Sequence, residues 1–132
     1  MKLDTNNHSV FLLNYHLVLI IKYRRKVIDK NISDRLKEIF QYISPKYNIT
    51  LEEWNHDADH IHLLFKAHPN TEISKFINAY KSASSRLIKK EFEVLREQLW
   101  KEHFWSRSYC LLTRGGATID IVRNYIENQQ GK

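Results

Sequence analysis

Apolar residues run almost unbroken from Val10 to Tyr23, interrupted mainly by Asn14 and His16. The run is rich in β-branched, aromatic and leucine residues. It predicts a strand over 10–23, buried on much of both faces and therefore central in a sheet. From Ile32 the period changes. Ile32, Leu36, Ile39, Phe40 and Ile43 recur at helical spacing, with Asn31 or Ser33 as the expected cap and Pro45 as the stop. Strand patterns return at 49–54 and 60–67, joined by the short polar turn Asn55 to Asp59, which predicts a hairpin. Pro69-Asn70-Thr71 supplies a break and a cap for a helix over 72–90, whose stripe is Ile73, Phe76, Ile77, Tyr80, Leu87 and Ile88. A short helix over 92–99, a strand over 109–113 and a final helix over 119–129 follow. Gly115-Gly116 breaks the chain before that last helix and Thr118 is its expected N-cap.

The order β-α-β-β-α-(α)-β-α is that of an α+β, ferredoxin-like split βαβ sandwich with an extra C-terminal helix. In that topology the first and third strands are central, helices cover one face of the antiparallel sheet, and the other face stays open. The 132 residues fit one domain, 1–132, and 42% hydrophobic content is enough for a core.

The third strand carries the most informative chemistry. In Asp59-His60-Ile61-His62-Leu63-Leu64-Phe65 the strand period of two puts His60 and His62 on one face and Ile61, Leu63 and Phe65 on the other. Two neutral imidazoles side by side can form half of a metal site. A polar surface pair is the plainer alternative. Asp57 and Asp59 stand close enough to orient an imidazole, or serve the turn.

The last helix places Tyr125 and Gln129 four residues apart, one above the other, flanked by Val122 and Ile126. A tyrosine hydroxyl is a possible nucleophile that needs activation at neutral pH, and a glutamine carbonyl is a possible metal ligand. Packing alone would also account for both.

Charge narrows the partner. Lys and Arg number 21 against 15 Asp and Glu, a formal net charge of +6, which favours a polyanion such as nucleic acid. No basic amphipathic segment marks a membrane surface, and the apolar run 10–21 is too short to span a bilayer. The single cysteine, Cys110, excludes an intrachain disulfide and lies in an apolar run, as a small core residue does. The polar N-terminus has no signal-peptide pattern, and the expected location is cytoplasmic.

The Asp59-His60-Ile61-His62 run, together with Tyr125-Ile126-Glu127-Asn128-Gln129, resembles the single-tyrosine HUH transposases of the smallest bacterial insertion sequences, the IS200-like transposase family. The segments Lys22-Tyr23-Arg24-Arg25-Lys26-Val27, Lys81 to Arg86, Leu99-Trp100 and Trp105-Ser106-Arg107-Ser108-Tyr109 are similar to family segments, so the resemblance spans about Tyr15 to Gln129.

The resemblance implies a DNA transposase that cuts and rejoins single-stranded DNA at insertion-sequence ends and recognises subterminal hairpins. It implies a divalent ion, Mg2+ or Mn2+, held by His60, His62 and Gln129. Tyr125 would attack a phosphodiester to form a 5′-phosphotyrosine link and release a 3′-hydroxyl. A homodimer is implied as well, in which the tyrosine helix can reach the partner's histidines, with Gly115-Gly116 as a hinge or a plain turn. Lys22, Arg24, Arg25, Lys26, Lys81, Arg86 and Arg107 are the expected DNA contacts. Trp105 and Tyr109 are expected in the core. The alternatives are a non-catalytic single-stranded nucleic-acid-binding module, a domesticated relative of the transposase, and a metal-dependent hydrolase in which Tyr125 only packs.

Overall fold

The computed structural model describes residues 12–113 and 119–129. The sequence order translates into strands β1 (Leu13–Ile20), β2 (Ile49–His56), β3 (His60–Ala67) and β4 (Cys110–Thr113), and helices α1 (Lys30–Ile43), α2 (Ile73–Glu91), α3 (Glu93–Arg96) and α4 (Ile119–Asn128). The four strands form one antiparallel sheet in the order β2-β3-β1-β4, so β1 and β3 are central, as a ferredoxin-like fold requires.

β1 is central because both of its faces have something apolar to meet. Leu17, Leu19 and Ile21 join Ile61, Leu63 and Phe65 of β3 in the main core under α1 and α2. The intervening Val18 and Ile20 face the other way and pack with Val122 of α4. Phe40 of α1 and Phe76 and Tyr80 of α2 fill the middle of the main core with edge-on ring contacts. Tyr80 is fully buried, and its hydroxyl donates to the carbonyl of Leu36 at 2.9 Å.

Several boundaries differ from the sequence expectation, each for a local reason. β1 stops at Ile20 because Tyr23 and Arg24 turn left-handed, with φ of 57° and 53°. Asp29, not Asn31 or Ser33, caps α1: its carboxylate accepts from the Ile32 amide at 2.8 Å, and Ser33 is buried inside the helix, where it accepts from Trp54. Thr71 does not cap α2; its hydroxyl donates to the Tyr47 carbonyl. β2 runs on to His56 through a bulge between Leu51 and Glu53, leaving Asp57 to Asp59 as the turn. The helix expected over 92–99 shrinks to Glu93–Arg96.

The largest difference concerns the face expected to stay open. α4 lies across it, docked by Val122 against Val18 and Ile20, with Tyr125, Ile126, Cys110 and Leu112 around them. Gly115-Gly116 and Thr118 fall outside the described residues.

Candidate functional site

Register builds the site. His60 pairs with Ile20, His62 with Val18, and Leu64 with His16. Directly opposed residues share a face, so His16, His60 and His62 all stand on the α4 side of the sheet. They line a cleft of about 640 Å³, walled by Arg24 and Lys26 from the turn after β1, Asp57 to Asp59 from the hairpin, and Arg123 and Glu127 of α4.

The two paired histidines differ in environment. Nδ1 of His60 lies 2.7 Å from Oδ1 of Asp59, and the other oxygen of that carboxylate accepts from Nε of Arg24 at 2.9 Å. Burial would raise the Asp59 pKa, but the hydrogen bonds and charges of His60 and Arg24 outweigh it and hold the carboxyl below its ordinary value. His62 is half-buried, and its Nε2 lies 3.1 Å from Nδ1 of His16. Burial, then the neighbouring His16 and His60, push its pKa below the ordinary imidazole value, so His62 is neutral near pH 7. Of the two aspartates near the pair, Asp59 orients an imidazole. Asp57 serves the turn by accepting from the Ala58 amide.

Tyr125 and Gln129 form a second group. Both meet Ser108, whose Oγ is 3.1 Å from the Tyr125 hydroxyl and donates to Oε1 of Gln129 at 3.0 Å. Ser106 adds a longer contact to the same oxygen, 3.5 Å. An amide oxygen can only accept, so the single hydrogen of Ser108 goes to Gln129 and the phenol must donate to Ser108. Gln129 is buried, contrary to what a glutamine near a chain end usually does. Burial raises the Tyr125 pKa above 10, and the contact with Ser108 partly offsets it.

Neither Tyr125 nor Gln129 lines the histidine cleft. The apolar stripe Val122 and Ile126 separates them from Arg123 and Glu127, which do. The four residues singled out in the sequence therefore come as two halves on two sides of α4, above the same sheet face. Among the described residues no group of three or more His, Cys, Asp and Glu is placed so that those side chains alone could hold a metal ion. The donor chemistry of the His60–His62 pair nevertheless suits a divalent cation, because one ring has its Nδ1 occupied by a carboxylate and the other is neutral.

The expected DNA contacts spread over two regions. Arg24 and Lys26 reach the histidine cleft, and Arg25 and Arg86 are exposed. Lys22 holds its ammonium over the rings of Tyr23 and Trp100, at 5.2 and 5.9 Å. Lys81 is half-buried and donates to the carbonyls of Ser106 and Arg107, so it braces the chain there. Lys22, Lys81 and Arg107 border a second hollow with Trp100 and His103. Trp105 is buried and bonded to Ser84, and Tyr109 packs against the core. His16 and Ser108 were not singled out as site residues by the sequence. His16 stands at i−2 from Val18, which was a signal of its shared face. Only the fold brings Ser108 to the helix.

The model of the IS200-like transposase family matches residues 9–129. The ISDra2 transposase TnpA of Deinococcus radiodurans is 36% identical over 123 residues, covering 93% of this chain and 88% of that protein. The transposase for insertion sequence element IS200 of Salmonella typhimurium is 30% identical over 122 residues, covering 92% of this chain and 80% of that protein. Among solved structures, a candidate transposase from Deinococcus radiodurans superposes with a TM-score of 0.88 at 33% identity, over 98% of this chain and 99% of that one. A REP-associated tyrosine transposase bound to a REP hairpin shares the fold at a TM-score of 0.61 and 9% identity, over 96% of this chain and 69% of that one.

Proposed function

Because the chain belongs to the IS200-like transposase family, we propose that it cuts and rejoins single-stranded DNA at insertion-sequence ends, with Tyr125 as nucleophile. The observation that carries this reading is the placement of a tyrosine helix over the same sheet face as two histidines, one of them held by a buried carboxylate. A binding module has no need of that arrangement.

In this reading His60, His62 and Gln129 would hold a divalent ion, Mg2+ or Mn2+, with the Gln129 amide oxygen, which here accepts from Ser108, as the oxygen donor. When bound, the ion polarises the scissile phosphate. Tyr125 attacks phosphorus through its hydroxyl oxygen. The new bond is a 5′-phosphotyrosine ester, and the leaving 3′-oxygen takes a proton as the phenol loses its own. A 3′-hydroxyl of another strand later attacks the same phosphorus and returns the tyrosine. Bond energy is conserved in the ester, so no nucleotide is consumed.

Tyr125 and the histidines lie on different sides of α4 within one chain, so the helix must turn, or cross to a second copy, for the halves to meet. That requirement supports a homodimer with exchange of α4. Its docking is light enough to allow this, since Val122 is its one fully apolar buried anchor among the described residues and is worth about 1.5–3 kcal/mol. Hairpin ends are the proposed recognition element, and Arg25, Lys26 and Arg107 the proposed phosphate contacts.

The test uses purified protein, Mg2+ or Mn2+, and labelled single-stranded DNA from the flanks of the gene. A label that migrates with the protein on a denaturing gel, needs metal, and is absent with Tyr125→Phe and on duplex DNA establishes the tyrosine mechanism. Metal-dependent cleavage without an adduct points to water as nucleophile. Hairpin binding without cleavage points to a binding module.

A further inference from the structure

Arg24 does not behave as its neighbours do. Arg25 and Lys26 are exposed, whereas the Arg24 side chain is 27% exposed and folds back onto Asp59. The Asp59 side chain is itself 8% exposed, and each of its oxygens has one partner: Nε of Arg24 at 2.9 Å and Nδ1 of His60 at 2.7 Å. An ionised carboxylate only accepts, so Nδ1 of His60 carries a hydrogen, and in the neutral ring the lone pair is then on Nε2.

The backbone is shaped to deliver this contact. Tyr23 and Arg24 are consecutive non-glycine residues in the left-handed region, a costly conformation that persists only where surrounding structure enforces it. The enforcement is visible. Lys22 N donates to the Phe104 carbonyl, Ile21 N to that of Asp59, Ile28 N to that of Ala58, and Arg24 N back to that of Ile21. The Tyr23 ring meets Trp100 edge-on at 4.9 Å. An arginine that only touches a phosphate backbone needs no such turn, because a long side chain on an ordinary exposed loop suffices.

We propose that Arg24 is a positioning residue: through Asp59 it fixes the tautomer and ring orientation of His60, and it is not a DNA phosphate contact. The inference rests on the reading of His60 as a metal ligand, and its role is that of the outer partners that orient ligating histidines elsewhere.

The test compares Arg24→Gln and Arg24→Lys with Arg25→Gln in the whole protein. Nitrogen-15 NMR of the metal-free protein at a pH where His60 is neutral reads its tautomer, with His60→Gln assigning the signal. Calorimetry reads Mn2+ affinity. Binding of one hairpin-bearing single-stranded oligonucleotide in EDTA, across salt concentrations, reads phosphate contacts. In Arg24→Gln the Nδ1–H tautomer should give way to a mixture and Mn2+ affinity should fall about 10- to 100-fold. DNA affinity and its salt slope should stay as in the unmutated protein. Arg24→Lys keeps the charge but not the planar donor, and should recover only part of the metal affinity. Arg25→Gln should leave tautomer and metal affinity alone.

An unchanged tautomer in folded Arg24→Gln and Arg24→Lys overturns the proposal. So does a loss of about one unit of salt slope with unaltered Mn2+ affinity. If His60→Gln binds Mn2+ as tightly as the unmutated protein, the metal-site reading fails instead, and the tautomer result still decides the role of Arg24.

Discussion

Ser108 shows how much one hydroxyl can constrain. Its single hydrogen is given to Gln129 while Tyr125 donates to it. If the phenol ionises, the hydrogen of Ser108 turns to the phenolate, the better acceptor, and Gln129 loses its closer donor. Ionisation of the phenol and release of the amide oxygen are thus linked through one atom. Burial raises the Tyr125 pKa and Ser108 lowers it, so removing the hydroxyl moves the value further up. Ser108→Ala should shift the Tyr125 tyrosinate band in spectrophotometric titration to higher pH, with Tyr125→Phe identifying its share of the absorbance. Ser108→Thr, which keeps a hydroxyl, should restore it. Sequence spacing could reveal Tyr125 and Gln129 because both lie on one helix. It could not reveal Ser108, which reaches them only after the segment from Trp105 is pinned to β1 and α2. The same limit applies to His16 and His62, 46 residues apart and joined by strand register.

Compared with α1 and α2, the described residues of α4 supply little apolar anchoring. The helices on the main face bury whole aromatic rings, whereas α4 buries Val122 and parts of Tyr125 and Ile126. Local opening should therefore cost much less for α4 than for α2. Val122→Ala should cost about 1–2 kcal/mol, below the range for larger core truncations. It should speed amide hydrogen exchange over 119–128 while leaving α1 and α2 protected, which hydrogen-exchange mass spectrometry reads directly. The period of each helix was legible in the sequence because an apolar stripe must face the sheet. The caps were less so. Asp29 lies before the first apolar position and takes a role that two nearer residues also fit by type. The face covered by α4 was also illegible, since the stripe Val122 and Ile126 says that the helix packs but not on what.

On the scale of the whole molecule, charge and apolar surface divide the labour. Of the expected DNA contacts, Arg25, Lys26, Arg86 and Arg107 are exposed, whereas Lys81 braces the chain. Arg25→Gln should weaken binding to single-stranded DNA about equally across sequences. It should also reduce the slope of log K against log salt by roughly 0.7, as fluorescence anisotropy at several salt concentrations will show. The placement of the sheet faces follows from β1, which alternates Leu17 and Leu19 toward the main core with His16, Val18 and Ile20 toward the α4 side. Its length and apolarity announced a strand covered on two sides. What they could not say was that one side packs under α1 and α2 and the other under α4 beside the histidine cleft. For a lineage accumulating mutations, this has a cost. A one-residue insertion or deletion in β1 or β3 exchanges the two faces, driving imidazoles into the core and leucines into the cleft. Such a copy loses its core and the histidine cleft together, so the frame of these two strands is a place where genetic drift has no neutral path.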